Sequence, residues 1–490
     1  MVLEKSNGVL LADYPKLPLP EERVDELVLS SVDWAHAHGL VMRTKEHKDR
    51  SDICQTAPFA LLPTPFPRKL FEQAINVQNL MASLYHEIAY DYDFLIECHK
   101  DVVKTDAFTR GLIDILKQIR DEGLSQRKTL VLQRSDYMCH KDPFTCEYHL
   151  KQIEVNNIAS SMGAHAERVT KLHRRTMLEL GYDKETVEKA IPKNEPIKLI
   201  AEGLFKAWSL FPSDSVLLVV VEDENQNQID QRHVEYALEE LGVPIDQIVR
   251  RTLTECEQCL SLSSDRHLLL SGSRVAVVYF RAGYVPDNYP TEKEWAARLI
   301  MERSDAIKSP WIGLQVANTK KTQQVLSEDG VVERFIGHPR EAAAIRATFA
   351  GLWAIDDRSP ITEKLVKSAI AHPSRFVLKP QLEGGAGNFY GEQMVEKLRT
   401  MTDDERSAHI LMERIQPIVA ENYLVRALQP VQLSSVVSEL GVYGYALGDR
   451  GIAEVRQGGH LLRTKGEKVD EGGVAIGAAV IDSPFLYELL

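Results

Sequence analysis

Apolar positions recur close to the helical period from Leu70 to Cys98, at Phe71, Ala74, Ile75, Met81, Leu84, Ile88, Tyr92 and Leu95. The stretch predicts one long amphipathic helix, with Gln78 as a polar intrusion on its buried face. Upstream, Pro15, Pro18 and Pro20 punctuate the first 25 residues before helix sets in. Thr129–Gln133 reads as a strand. Leu150–Asn156 alternates polar and apolar, which predicts a second strand with Gln152, Glu154 and Asn156 on one face. Residues 164–192 read as helical and close near Pro192.

Near Pro212 the pattern changes. Val216–Val221 is a continuous apolar run of the buried-strand type, Asp230–Leu241 is a helix stopped by Gly242, and Arg274–Phe280 is again a strand. Strand, helix, strand at this spacing predicts a small Rossmann-like βαβ unit over residues 213–318. Beyond it, Lys320–Leu326 and Arg340–Trp353 read as helices. Arg375–Lys379 reads as a strand, followed by a glycine-rich loop, a helix, and strands at His409–Arg414 and Val436–Leu447. The last segment looks loop-rich, with Gly466, Gly472, Gly473 and Gly477. The division is therefore 1–212, 213–318 and 319–490, in a mixed α/β fold.

Composition narrows the function. Apolar residues are 44% and charged residues 26% of the 490, which is ordinary for a globular protein. Lys plus Arg is 58 and Asp plus Glu is 71, a net charge of −13. Such a chain is a poor general partner for nucleic acid or an anionic membrane. An anionic ligand would need positive charge concentrated at its site. Six cysteines are too few for a disulfide framework. Cys256 and Cys259 have CxxC spacing, but Cys139 and Cys146 make no conventional second pair for zinc. No basic leader followed by an apolar run opens the chain, and its apolar runs are too short to span a bilayer, so a reducing cytoplasmic location is expected.

Five stretches carry candidate chemistry. In the first, a strand ends at Lys379, Glu383 follows four residues later, and Gly384, Gly385, Gly387 and Gly391 crowd the loop. Glycines let backbone N–H groups approach phosphate oxygens, and a lysine and a carboxylate could add charge and hold Mg²⁺. Taken alone, such a loop is as readily a plain turn. In the second, Glu154 and Asn156 present two oxygen ligands, although a polar strand face can simply meet solvent. The third and fourth put Arg134 and Arg281 at strand ends, where crevices of α/β folds open. The fifth, Gly458–Lys465 followed by Glu471–Ala478, is a basic strand leading into a small-residue loop, as a lid over an anion would be built. Together they resemble a nucleotide–Mg²⁺ site facing an anionic substrate.

These motifs, in this order, resemble the eukaryotic-type glutathione synthetases, a family of ATP-grasp ligases. The resemblance runs along nearly the whole chain, through Arg134-Ser-Asp-Tyr-Met138, Gln152-Ile-Glu-Val-Asn156, Tyr279-Phe-Arg-Ala-Gly-Tyr284, Thr319-Lys-Lys321, Lys379-Pro-Gln, Glu383-Gly-Gly, Leu411-Met-Glu413, Ser438-Glu-Leu-Gly441, Leu461-Leu-Arg-Thr-Lys465 and Gly472-Gly-Val-Ala475. It implies a circularly permuted ATP-grasp body with an inserted substrate-binding domain and mobile lid loops, assembled as a homodimer. It also implies a reaction in which ATP, γ-glutamylcysteine and glycine give glutathione, ADP and phosphate through an acyl phosphate. An acceptor such as β-alanine is the alternative.

The resemblance carries roles onto particular positions. Glu154, Asn156 and Glu383 match the Mg²⁺ ligands. Lys320 and Lys379 match the lysines on the ATP phosphates, and with Arg463 they would stabilise the transferred phosphoryl group. Gln381, Glu383, Gly384, Gly385, Ala386, Gly387, Asn388 and Tyr390 match the cover of the nucleotide. Met412, Glu413 and Glu439 match the adenine and ribose pocket, and Glu154, Lys465 and Glu471 match further ATP contacts. Arg134, Ile158, Ala159, Ser160, Ser161, Asn225, Asn227, Gln231, Arg281, Tyr284, Arg463, Val474 and Ala475 match substrate positions. Three departures stand out. Ala386 occupies a position that is commonly glycine. Asn225 replaces a usual Glu, with Glu224 adjacent. Ile476 stands where many relatives have alanine, in the lid that bears on acceptor choice.

Overall fold

A computed structural model describes residues 14–142, 145–380, 387–469, 473–474 and 477–489. The centre is a seven-stranded sheet. Its strands lie in the order Val419–Val425, Phe59–Ala60, Val480–Asp482, Ile452–Gly466, Leu433–Asp449, Thr129–Lys141 and Tyr148–Asn156. Val419–Val425 also pairs with Leu433–Asp449.

The sheet separates two cores, because successive residues of a strand point to opposite faces. On one face Leu130, Leu132, Tyr443, Tyr445 and Leu447 pack with Ile200 and Leu204 of the helix Pro196–Trp208. On the other, Val131, Tyr137, Leu440, Val442 and Ala446 pack with Ala74, Met81 and Tyr85 of the helix Arg68–Ile88. Gln78, the polar intrusion in that helix, is fully buried and donates to Gln133 Oε1 at 3.0 Å.

The long helix expected over 70–98 is two. The first ends at Ile88, and Tyr92–His99 starts afresh after Asp91, whose Oδ1 accepts from Phe94 N at 3.0 Å. An aspartate N-cap is a local start signal that the uninterrupted apolar period concealed. Arg340–Trp353 is likewise not one helix. Pro339–Arg346 is helical, and Leu352–Ala354 pairs with His409–Glu413 in a small antiparallel sheet completed by Phe376–Pro380. Trp353 is therefore a strand residue. The stretch 164–192 holds two helices, Gly163–Glu179 and Lys184–Ala190. Near the C-terminus, the strand expected over Gly458–Lys465 runs longer, from Ile452 to Gly466, 15 residues.

Residues 216–309 contain a parallel ladder in the order Ile248–Arg251, Val216–Val220, Ser273–Phe280 and Ile307–Ser309. The helix Gln228–Glu240 lies in sequence between two of these strands. Leu260–Leu262 and Leu268–Leu270 extend the sheet in antiparallel fashion. Among the described residues, no helix is long and apolar enough to cross a membrane.

Candidate active site

The register of the large sheet assembles the site. Asn156 pairs with Arg134, and Glu154 with Asp136. Asp136 pairs in turn with Gly441, Met138 with Glu439, and Glu439 with Arg463. Cross-strand partners share a face, so Arg134, Asp136, Glu154, Asn156, Glu439 and Arg463 all project from the same side. This is also the face on which Leu132 and Tyr445 are covered by helix further along. One face thus serves as core at one end and as site at the other.

The expectation that Gln152 shares this face is corrected. The ladder slips between Asp136 and Tyr137, so that Glu154 pairs with Asp136 but Gln152 pairs with Tyr137. The extra residue, Ile153, is a bulge that turns Gln152 to the opposite side, where its amide points at the Met81 sulfur at 3.6 Å. Arg134 is also not past the end of a strand. It lies in the middle of Thr129–Lys141, whereas Arg281 does follow its strand directly.

The charged groups interlock. Arg134 donates from Nε to Asp136 Oδ1 at 2.7 Å and from Nη2 to Oδ2 at 2.8 Å. Arg463 Nη2 reaches the same Oδ2 at 2.9 Å, pairs with Glu439 Oε1, and lies 3.6 Å from Glu154 Oε1. Asn156 Nδ2 donates to Asp136 Oδ2 at 3.0 Å. Burial by itself would raise the Glu154 carboxyl, but Arg463, then Lys320, Lys379 and Arg134, hold it down at about 2. Burial raises the Glu439 carboxyl; Arg463 opposes the rise, while Asp136 and Glu154 add to it. Carboxylate oxygens of Asp136, Glu154 and Glu439 lie within 4.8 Å of one another. This all-oxygen donor set, with the Asn156 amide beside it, suits a hard divalent cation such as Mg²⁺. Among the described residues it is the one such cluster. Cys256 is buried, the Cys259 thiol donates to Glu255 O at 3.0 Å, and among the described residues no group of metal-ligating side chains gathers around either.

A cavity of about 720 Å³ lies between this face and the small antiparallel sheet. In the small sheet, Phe376, Leu378 and Leu411 pack with Val366 and Met394, while Val377, Lys379 and Met412 line the cavity. Lys320, Asn388, Tyr390, Glu413, Glu439 and Lys465 line it as well. Lys320 opens the helix Lys320–Leu326, whose N-cap Thr319 accepts from Thr322 N at 3.2 Å. His99 holds that cap, with Nδ1 on Leu95 O and Nε2 on Thr319 Oγ1, both at 2.7 Å. Glu413 Oε2 accepts from Gly351 N at 3.0 Å, and the Arg414 guanidinium stands 5.4 Å from the Tyr390 ring centroid.

At the far end, Arg134, Ile158, Ala159, Ser161, Tyr284, Arg463 and Val474 line the cavity. Ser160, Asn225, Asn227, Gln231 and Arg281 are not among the residues that line it. Arg281 Nη1 donates to Ser160 O at 3.1 Å. The loop between them is unusual, with positive φ at Ala159 (53°) and Met162 (71°). Asp230 secures it by accepting from Met162 N at 2.8 Å and Ala164 N at 2.9 Å, and Asn227 Nδ2 donates to the same carboxylate at 3.2 Å. Tyr443 donates to Ser161 O at 2.6 Å. Asn225 is engaged within its own loop by Glu222 and by Asn227 N, and Glu224 is exposed. Gln381, Glu383, Gly384, Gly385, Ala386, Glu471, Ala475 and Ile476 lie outside the described residues.

Sequence reasoning missed Asp136, Asp230 and Tyr443. Asp136 had a usable signal, since it stands two residues from Arg134 on one strand, the same spacing that singled out Glu154 and Asn156. Asp230 and Tyr443 act through contacts distant in sequence and left no such mark.

A family model described as eukaryotic glutathione synthase, ATP binding domain, matches residues 21–486. The chain is 42% identical over 469 residues to the glutathione synthetase of Xenopus laevis, with 94% of this chain and 97% of that one covered. It is 40% identical over 480 residues to the Homo sapiens glutathione synthetase, covering 97% and 100%. It is 37% identical over 477 residues to the chloroplastic glutathione synthetase of Arabidopsis thaliana, covering 96% and 86%. A glutathione synthetase-like effector from Globodera pallida, solved in its apo form, superposes with a TM-score of 0.77 at 28% identity, covering 96% and 99%.

Proposed function

The chain belongs to the eukaryotic glutathione synthase family, and from that premise we propose that it is a glutathione synthetase, joining γ-glutamylcysteine to glycine with conversion of ATP to ADP and phosphate. One observation carries the site assignment. Arg134 and Arg463, which match the family's substrate positions, meet Glu154 and Asn156, which match its metal positions, on one sheet face lining one cavity.

The chemistry asks for little covalent help from the protein. The cysteinyl carboxylate of the dipeptide attacks the γ-phosphorus of ATP, and ADP leaves. The glycine amine then attacks the acyl phosphate, phosphate leaves, and the amine loses a proton. Two anions must first meet, so Lys320, Lys379 and Arg463 neutralise charge at the transferred phosphoryl group while Arg134 holds the dipeptide. Glu154, Asn156 and Glu383 would hold Mg²⁺, which when bound supplies further positive charge at the phosphates. Met412, Glu413 and Tyr390 would receive the nucleoside end. Ser161 and Tyr284, on the cavity wall, would receive the γ-glutamyl end, backed by Ser160, Asn227, Gln231 and Arg281, which match the family's substrate positions but lie off the wall.

The parallel ladder supports reading residues 213–318 as a substrate domain inserted into a body made of 1–212 and 319–490. We place the enzyme in the cytoplasm as a homodimer. Phosphate release from ATP with γ-glutamylcysteine plus glycine, β-alanine or serine tests the reading. Glycine-dependent release is expected. Release with no amine dependence would sink the ligase assignment, and release with β-alanine alone would sink the acceptor.

A further inference from the structure

We propose that Asp136 is the positioning residue shared by the metal and substrate halves of this site, fixing which atom of Asn156 faces the cation and where Arg134 points. The inference rests on the synthetase reading and deepens it.

Asp136 is fully buried, and its two oxygens accept four donors. Oδ1 takes Arg134 Nε at 2.7 Å. Oδ2 takes Arg134 Nη2 at 2.8 Å, Arg463 Nη2 at 2.9 Å and Asn156 Nδ2 at 3.0 Å. Oδ2, with three donors, has its lone pairs fully engaged, whereas Oδ1 accepts from Arg134 Nε alone. The useful consequence lies with its neighbours. A side-chain amide has one oxygen that can bind a cation and one NH₂ that cannot. With the Asn156 NH₂ held on Asp136, its oxygen is the arm left to turn toward a cation at Glu154. The bidentate grip on Arg134 likewise fixes the plane of a guanidinium that lines the cavity.

The opposite strand is built around this carboxylate. Gly441 pairs with Asp136 in register, and a Cβ there would stand 2.6 Å from Asp136 Oδ1 and 2.7 Å from Arg134 Cδ. Glycine at 441 leaves the room in which the pair sits.

The test compares the wild type with Asp136→Ala, which removes the acceptor, and Gly441→Ala, which displaces it without deleting a polar group. Mn²⁺ binding in the presence of a non-hydrolysable ATP analogue is read from the free-ion electron paramagnetic resonance signal, and KM is measured separately for γ-glutamylcysteine and ATP. Partners just outside a metal's ligands commonly govern affinity by about 10–100-fold. Both variants should therefore bind Mn²⁺ at least about tenfold more weakly and show a similarly raised KM for the dipeptide. A merely structural role would lower the melting temperature and leave both quantities alone. Values within about twofold of wild type in either folded variant overturn the proposal, and Gly441→Ala decides alone if Asp136→Ala does not fold. A wild type that binds no Mn²⁺ with nucleotide overturns the metal reading as well, which separates the two failures.

Discussion

Arg463 and Glu439 stand opposite each other on neighbouring strands, and their side chains close into an ion pair on the cavity face. Asp136 and Glu154 crowd the same guanidinium. One guanidinium thus reaches three carboxylates, sharing Asp136 with Arg134, at the place where two anionic substrates would have to meet.

Removing that cation should be costly twice over. Arg463→Met leaves the buried Glu439 without its ion-pair partner, a change of about 3–5 kcal/mol in stability. Loss of a preorganised positive group at the phosphoryl oxygen should lower kcat by roughly 10²–10³ or more. Arg463→Lys keeps the charge but not the flat fork that reaches several carboxylates together, so it should recover stability better than turnover. Thermal melts and phosphate release on the two variants check this, and equal recovery of both properties by lysine would contradict it.

The Lys320 helix supplies a milder case. Thr319→Ala removes the cap that accepts from Thr322 N and leaves His99 Nε2 without its partner. The loss should be about 1 kcal/mol for the cap. Because Lys320 is the first residue of that helix, KM for ATP should rise severalfold while KM for the dipeptide stays near wild type. A rise in the dipeptide KM alone would place Lys320 elsewhere in the reaction.

What was legible in the sequence divides along a physical line. Glu154 and Asn156 could be found because two-residue periodicity is a local property of a strand. Gln152 was misassigned because a bulge is set by the partner strand, and nothing in Lys151–Asn156 announces that Ile153 will be passed over. The break after Ile88 hid for a similar reason, since Asp91 caps only if the chain has already turned. The glycine at 441 looked like part of a motif, yet its purpose depends on Asp136, some 300 residues earlier. Family resemblance located Arg281 and Asn227, but only the fold leaves them off the cavity wall.

That loop carries its own prediction. Asp230 accepts from two backbone N–H groups on either side of Gly163, and Met162 keeps a positive φ there. Asp230→Ala would orphan both donors in a buried setting, at about 1–3 kcal/mol each. It should also loosen Ser160 and Ser161, raising KM for γ-glutamylcysteine about tenfold with little change in KM for ATP. Unchanged dipeptide kinetics in a destabilised variant would make Asp230 a structural cap only.

The last prediction concerns pH. Asp482 is fully buried and accepts from Thr64 N, Ser483 N, Thr64 Oγ1 and Thr464 Oγ1. Burial pushes its carboxyl up to about 7, even though those hydrogen bonds pull the other way. The imidazole that could offer a countercharge, His173 at 3.7 Å, is itself driven down to about 4 by burial and so is neutral over most of this range. Between the ordinary carboxyl value near 4 and about 7, the folded chain therefore holds a proton that the unfolded chain has released. The stability this confers is complete below about 4 and is lost as pH rises through 7. Asp482→Asn fixes the group as neutral. Its oxygen can take the two N–H donors while its NH₂ meets two hydroxyls that are free to rotate. Melting temperatures of wild type and Asp482→Asn should be compared from pH 5 to 8, with the wild type falling progressively behind the variant as pH increases. A constant difference would mean that the four donors keep Asp482 ionised throughout. In that case Thr464, next to Arg463, would be anchored by a charge rather than by a neutral acid.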